Sequence, residues 1–284
     1  MTTRAESSYL RDVWRHIVKN PIAVVGLAIV ACFFLVALIA PYVSPHDPLV
    51  TDPIGKLGVP TSEHPFGTDQ LGRDILSRVL YGARISLWVA FLVPVLAGLM
   101  GTTVGLLAGY FGGKIDSILM RVTDMFMAFP QLILAMAISA ALGPSLRNAI
   151  LAVALTEWTF FARLARSRVI SIREEDYVEA ARAMGASHTR ILFRHILPMS
   201  VSPLIIQTTM GMGTSIRTAA SLGFLGLGAQ PPLPEWGVMI TAGRNYLPGQ
   251  WWVSTFPGIA IFIVILGFNL LGDGIRDAFD PKLR

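Results

Sequence analysis

Charge and cysteine are what this 284-residue chain has least of. Only 14% of its residues are charged against 53% hydrophobic, too few to clothe a soluble core of this size. The one cysteine, Cys32, lies inside an apolar run, so an intrachain disulfide is excluded and the thiol reads as a small packing residue. There is no G-x-x-x-x-G-K-[ST], because Gly55-Lys56 and Gly113-Lys114 are both followed by aliphatic residues; any ATP must be handled by another chain. H-E-x-x-H and G-x-S-x-G are also missing, and none of the 5 histidines lies well inside an apolar run, which argues against a membrane protease or a metal site. The net charge of +5 raises nucleic acid as a partner, but the basic residues form no stripe interleaved with aromatics and fall between apolar runs instead.

What the chain does have is length without charge. A helix needs about 20 mostly apolar residues to cross a bilayer. Five stretches qualify: 22–43, 85–113, 125–146, 196–216 and 245–272, the last apolar from residue 255. A sixth, 148–162, is interrupted by Glu157 and is counted because omitting it would put the two arginine-bearing ends of the chain on opposite sides. The expectation is an all-α membrane protein with six transmembrane helices. With both termini inside, the segment before residue 21, the loops 111–121 and 163–195 and the tail after 272 hold sixteen of the 23 Lys and Arg; the opposite loops hold six, and Arg217 stays within the fifth span. Basic residues favour the cytoplasmic side, so this bias sets the orientation.

Residues 1–20 read as a short amphipathic helix on the cytoplasmic leaflet, with Leu10, Val13, Trp14, Ile17 and Val18 on one face. The following run is too long for a signal-peptide core and no A-x-A site follows it, so no cleaved leader is expected. Residues 21–43 form the first span and 44–84 an external segment that begins Pro- and Asp-rich and ends, over 65–86, in a short surface helix. Residues 85–275 hold the other five helices and 276–284 a cytoplasmic tail.

Gly101, Gly105 and Gly109 recur every four residues on one helix face, a spacing that lets another backbone approach closely; packing is the expected role, against a helix of this chain or another. Glu157 must face protein or water, since a carboxylate in lipid is costly. It either lines a translocation path or is hydrogen-bonded within the bundle. Arg217 is its counterpart in the fifth span, lining the same path or snorkelling to the outer surface. Arg121 and Asp124, at i and i+3, are expected to pair. In the loop 163–195, Asp176 reads as the cap of a helix whose fourth position is Glu179, Gly185 as its end, Ser187 as the start of a second short helix, and Pro198 as a first-turn residue of the next span. This compact elbow offers Ala180, Ala181, Ala183 and Met184 as an apolar knob for another protein's groove, or is an ordinary loop.

Glu179-Ala180-Ala181, Gly185 and Leu197-Pro198 resemble the EAA signature of the permease subunits of binding-protein-dependent ABC importers, with His195 where the general signature has an aliphatic residue. Three further stretches resemble the shorter permease of the dipeptide, oligopeptide and nickel importers. They are Pro65-Phe66-Gly67-Thr68-Asp69-Gln70-Leu71-Gly72-Arg73-Asp74, Leu222-Gly223-Phe224-Leu225-Gly226-Leu227-Gly228-Ala229-Gln230-Pro231-Pro232, and Phe268-Asn269-Leu270-Leu271-Gly272-Asp273-Gly274-Ile275-Arg276-Asp277. The resemblance runs from about residue 20 to near the end. It implies a type I ABC importer permease fold in a bacterial-type inner membrane, a related second permease, an external solute-binding protein, and two cytoplasmic ATPases. ATP and Mg belong to those ATPases, with no cofactor in this chain. Glu179, Ala180, Ala181 and Gly185 would form the coupling helix held in an ATPase cleft. Peptides are the expected cargo, nickel or a metal chelate the alternative within the class. A membrane-embedded enzyme or a self-contained channel is the alternative outside it.

Overall fold

In the computed structural model, which describes residues 17–279, the chain is built from helices; among the described residues there is no strand, only a bridge between Thr68 and Asp74. The expected N-terminal amphipathic helix lies, up to residue 16, outside the described residues. Helix α1 (Pro21–Val43) starts where Pro21 fixes its first φ and Asn20 Oδ1 accepts the N–H of Ile22 at 3.0 Å. Its 23 residues span about 35 Å at ~1.5 Å each, and Phe34, Leu35, Leu38 and Tyr42 point outward, a surface suited to lipid.

Helix α2 (Ile75–Phe111) is capped by Asp74, whose Oδ2 accepts the Ser77 N–H at 2.7 Å. The separate surface helix expected over 65–86 is not there: 65–74 is loop and one 37-residue helix follows. Nothing over 75–93 breaks it, since that stretch has no proline and its single glycine, Gly82, sits under the Trp236 ring. The expected unbroken span 125–146 is corrected too. Helices α3 (Gly113–Met127) and α4 (Gln131–Leu142) meet at a 90° bend. Pro130 has no N–H to continue the ladder, and its ring excludes the helical carbonyl four residues back.

Helix α5 (Leu146–Arg173) begins at Ser145, whose Oγ accepts the Asn148 N–H at 3.1 Å, and runs well past residue 162 into what the sequence suggested was loop. The short α6 (Asp176–Ala183) and α7 (His188–Ile191) form the elbow; a π turn (Leu192–Ile196) then leads without a break into α8 (Leu197–Phe224). Helix α9 (Trp236–Gly243), a 3-10 turn (Arg244–Tyr246) and α10 (Trp252–Phe279) complete the chain. By length and apolar composition, α1, α2, the helix from His188 to Phe224 and α10 can each cross a membrane, and α3 with α4 makes a fifth if the bent pair is one span. The 28 residues of α5 are long enough, but Arg147, Glu157, Arg163, Arg166, Arg168 and Arg173 make it less apolar than these.

Small residues decide which helices touch. On α2, a β-carbon at Gly101 would collide with the Trp158 carbonyl, one at Gly105 with the Ala162 carbonyl, and one at Gly109 would stand 2.9 Å from the Arg166 carbonyl. The glycine face therefore seats α5 of the same chain along three turns. Helix α1 is held in the same way to α10: Gly26 abuts the Leu271 backbone, Gly267 abuts Ile29, and Gly274 abuts Ala23. One apolar core joins α1, α2, α9 and α10 around Trp236, Ile75 and Phe268; a second joins α2, α4, α5 and α8 around Val93, Val153 and Leu222.

The segment between α1 and α2 is ordered by one carboxylate. Asp69 Oδ1 accepts the N–H groups of Leu71 at 2.8 Å and Arg73 at 3.0 Å, while Oδ2 accepts Arg73 Nε at 2.7 Å. Arg78, buried in the first turn of α2, lies 3.6 Å from the same oxygen and donates to the Pro48 carbonyl at 2.8 Å. Gly72, at φ +76°, lets the loop turn where a β-carbon would collide with the Asp52 carbonyl.

Candidate functional site

The elbow follows α5 directly and packs back on α2 and α5. Val178 of α6 points inward and packs with Leu106 and Tyr110 of α2, Val169 and Ile172 of α5, and Ile191, Leu192 and Ile196 beyond, and Ala181 is buried as well. Ala181 is thus no part of an exposed knob, contrary to expectation: it is one turn from Val178 on the buried side. Glu179, Ala180, Arg182, Ala183 and Met184 face outward, and Met184 is 82% exposed. Tyr177 and Phe193 add exposed rings to this surface, which the alanine-centred reading missed. Burial, then the Glu175 carboxylate, push the Tyr177 phenol above its ordinary pKa, so it stays a neutral hydroxyl.

The start of α6 is corrected by one residue. Glu175 stands at the cap without a side-chain bond, and Asp176 and Glu179 both lie in the first turn, where carboxylates complement the helix dipole. The end is where the sequence put it. Gly185 adopts φ +81°, its N–H donates to the Arg182 carbonyl at 3.0 Å, and the Ala186 N–H donates to the Ala181 carbonyl at 3.1 Å. That pair of bonds is the Schellman closure, which requires a left-handed residue at this position. Ser187 then caps α7, accepting the Arg190 N–H at 3.4 Å. A polar tie joins elbow and bundle, the Tyr110 hydroxyl meeting His188 Nδ1 at 2.8 Å, and where the elbow begins Arg173 Nη1, at the end of α5, donates to the Gly109 carbonyl of α2 at 3.0 Å. Between them lies a cavity of about 530 Å³ lined by Tyr110, Phe111, Arg173, Glu174, Glu179, Arg182 and His188.

Glu157 is buried in the middle of α5. Ser215 Oγ of α8 lies 3.0 Å from Glu157 Oε2 and 2.8 Å from the Gly211 carbonyl, so its single proton serves one or the other. Gln131 Nε2, at the start of α4, donates to Oε1 at 3.4 Å. Both Glu157 and Arg217 line one cavity of about 340 Å³, together with Gln131, Phe160, Gln207, Met210 and Thr214. The structure thus brings together the two ionisable residues the sequence singled out, and adds Ser215 and Gln131. Gly101, Gly105 and Gly109 do not line this cavity; they form the packing face against α5 described above.

Asp124 does not pair with Arg121 as expected. It takes Arg163 Nη2 of α5 at 2.6 Å, and Asp116 takes Arg166 Nη2 at 2.6 Å, because the α3–α5 contact places these arginines across from them. The elbow, the cavity and the buried faces between them are connected through α5 and the helix from His188 to Phe224, which runs from the cap of α7 past Ser215.

Residues 101–284 match the family model described as binding-protein-dependent transport system inner membrane component, and residues 8–58 match that of the N-terminal TM domain of oligopeptide transport permease C. The chain is 49% identical over 274 residues to the dipeptide transport system permease protein DppC of Alkalihalophilus pseudofirmus, across 96% of this chain and 90% of that one. It is 45% identical to the probable D,D-dipeptide transport system permease protein DdpC of Escherichia coli, over 93% of this chain and 88% of that one. The glutathione transport system permease protein GsiD of Pectobacterium atrosepticum is 47% identical, over 96% and 91%. Among solved structures, the MetNI methionine ABC transporter in inward-facing conformations aligns with TM-score 0.59 at 20% identity, covering 72% of this chain and 98% of the matched chain, a likeness of fold.

Proposed function

Because the chain belongs to the family of binding-protein-dependent transport system inner membrane components, we propose that it is one of two permease subunits of an ATP-driven importer of di- and oligopeptides. In this reading six helices cross the inner membrane, α5 being the sixth, and both termini are cytoplasmic. A related permease completes the path, an external binding protein delivers the peptide, and two cytoplasmic ATPases power the pair, one of them gripping this elbow. The relatives' names favour peptides over nickel.

The observation that carries this reading is the buried attachment of α6. Val178 ties the elbow to α2 and α5 and Ala181 is buried, while Glu179, Ala180 and Met184 stay outside for a partner. An ATPase can bias a gate only through contacts that differ between two states, and such contacts need a stiff lever. The same α5 carries Glu157 to the cavity it shares with Arg217. There a carboxylate and a guanidinium suit the amino and carboxyl ends of a peptide. The test is reconstitution with the partner subunits in proteoliposomes, with labelled dipeptide, longer peptide and nickel offered in turn. ATP-dependent uptake of peptide is expected; uptake without ATPases, or of nickel alone, rejects the reading.

A further inference from the structure

We infer that His46, His64 and Asp74, outside the bundle at the start of α2, form a binding site for a divalent transition-metal ion of the zinc class. The ligand atoms the three residues offer all lie within 4.8 Å of one another. His64 Nδ1 lies 2.9 Å from Asp74 Oδ1 and His46 Nδ1 lies 3.9 Å from the same oxygen. An ion bound at about 2.0–2.2 Å from nitrogen and oxygen needs ligands roughly 3.4 Å apart in a tetrahedron, between these two values. The imidazoles are already side by side, their ring centroids 4.5 Å apart.

The surroundings hold the three groups in place. Asp74 Oδ2 is occupied by the Ser77 N–H at 2.7 Å, which leaves Oδ1 facing the histidines. Ser77 Oγ accepts the His46 backbone N–H at 3.0 Å, and Thr61 Oγ1 accepts the His64 backbone N–H at 3.0 Å. These bonds fix the backbone from which the two imidazoles project. His46 Nδ1 is buried and makes no hydrogen bond, a state that is destabilising and calls for an explanation. An ion between the rings supplies the missing partner.

Two imidazoles and one carboxylate select borderline cations such as Zn2+, Ni2+ or Co2+ over Mg2+ and Ca2+, which prefer oxygen alone. The Asp74 side chain is fully buried but His46 and His64 are 35% and 27% exposed, so an ion reaches the site from solvent and keeps room for water. The hydrogen bond between His64 and Asp74 is the competing state, which a bound ion replaces while the His64 ring proton sits on Nε2. A bound ion would staple the segment after α1 to the first turn of α2.

The experiment uses the full-length chain in detergent, its affinity tag removed and its metals stripped by chelating resin. Calorimetry with Zn2+ at neutral pH and elemental analysis after desalting are expected to show one ion per chain, not displaced by millimolar Mg2+. His46→Ala and His64→Ala are each expected to weaken binding by about tenfold or more, with His195→Ala unchanged. Binding below a fifth of an equivalent, or binding equally tight in the double variant, overturns the proposal. Should a variant fail to fold, the wild-type chain with one equivalent of Co2+ decides alone. Visible d–d bands of nitrogen- and oxygen-ligated Co2+ are expected, and only those of aqueous Co2+ would overturn it.

Discussion

A β-carbon on Gly105 would stand 2.6 Å from the β-carbon of Ala165, so α2 and α5 touch with nothing but backbone and one methyl between them. This contact joins the helix that follows the 44–74 segment to the helix that carries Glu157. Gly105→Val is expected to force the pair apart, at a cost of about 3 kcal/mol where neither backbone can yield. Gly98→Ala, about two turns away, meets only the Phe161 ring, its nearest atom Cε1 at 3.4 Å, and is expected to be neutral or slightly stabilising. Thermal unfolding of the two variants in detergent checks the contrast.

Gly185 has open space around it, and the obstacle to substitution is its φ of +81° alone. Gly185→Val is expected to cost about 1–2 kcal/mol locally and to unwind the end of α6, leaving the bundle folded and the complex assembled but uncoupled. Gly185→Asn, which tolerates the left-handed region, is expected to retain most coupling. Co-purification of the subunits, with solute-stimulated ATP hydrolysis and uptake in proteoliposomes, separates the two; wild-type values in Gly185→Val would refute the coupling role.

Glu157→Gln preserves size and the contacts to Ser215 and Gln131 but removes the charge from the cavity shared with Arg217. Peptide uptake is expected to fall about tenfold, the worth of one charge-assisted hydrogen bond of ~1.5 kcal/mol, with assembly and melting temperature unchanged. A peptide blocked at its amino terminus should show little difference between the two proteins. Equal losses for blocked and unblocked peptides would remove Glu157 from the path.

Asp69 accepts three hydrogen bonds in the segment between α1 and α2 and lies beside two buried arginines. Asp69→Ala strands Arg73 and Arg78, and the loss is expected to be about 3 kcal/mol or more. The readout is protease sensitivity of residues 50–74, which should rise sharply while α10 stays protected.

What was legible in the sequence was whatever depends on near neighbours along the chain. The glycine face of α2, the left-handed residue closing α6, the cap at Ser187 and the long apolar runs are all local patterns. The rest depends on groups brought together from afar. Ser215 lies 58 positions from Glu157 and Arg163 lies 39 from Asp124; their meeting is a property of how α3, α5 and α8 cross. Asp124 was assigned a partner within one turn because a short-range rule was available, and the tertiary contact proved stronger. The burial of Ala181 follows from how α6 lies against the rest of the chain, which no pattern within eight residues encodes. His46 and His64 show the same limit, since they follow no ligand spacing and meet only because the segment folds back on the start of α2.

The seating of α1 on α10 by Gly26, Gly267 and Gly274 leaves its remaining faces to lipid, so α1 behaves as an outrigger lashed to a single spar. Any tilt of α10 during a transport cycle must sweep α1 sideways through the bilayer. A dye on its outward-facing Leu38 would register that stroke from the membrane side, far from where cargo or nucleotide binds.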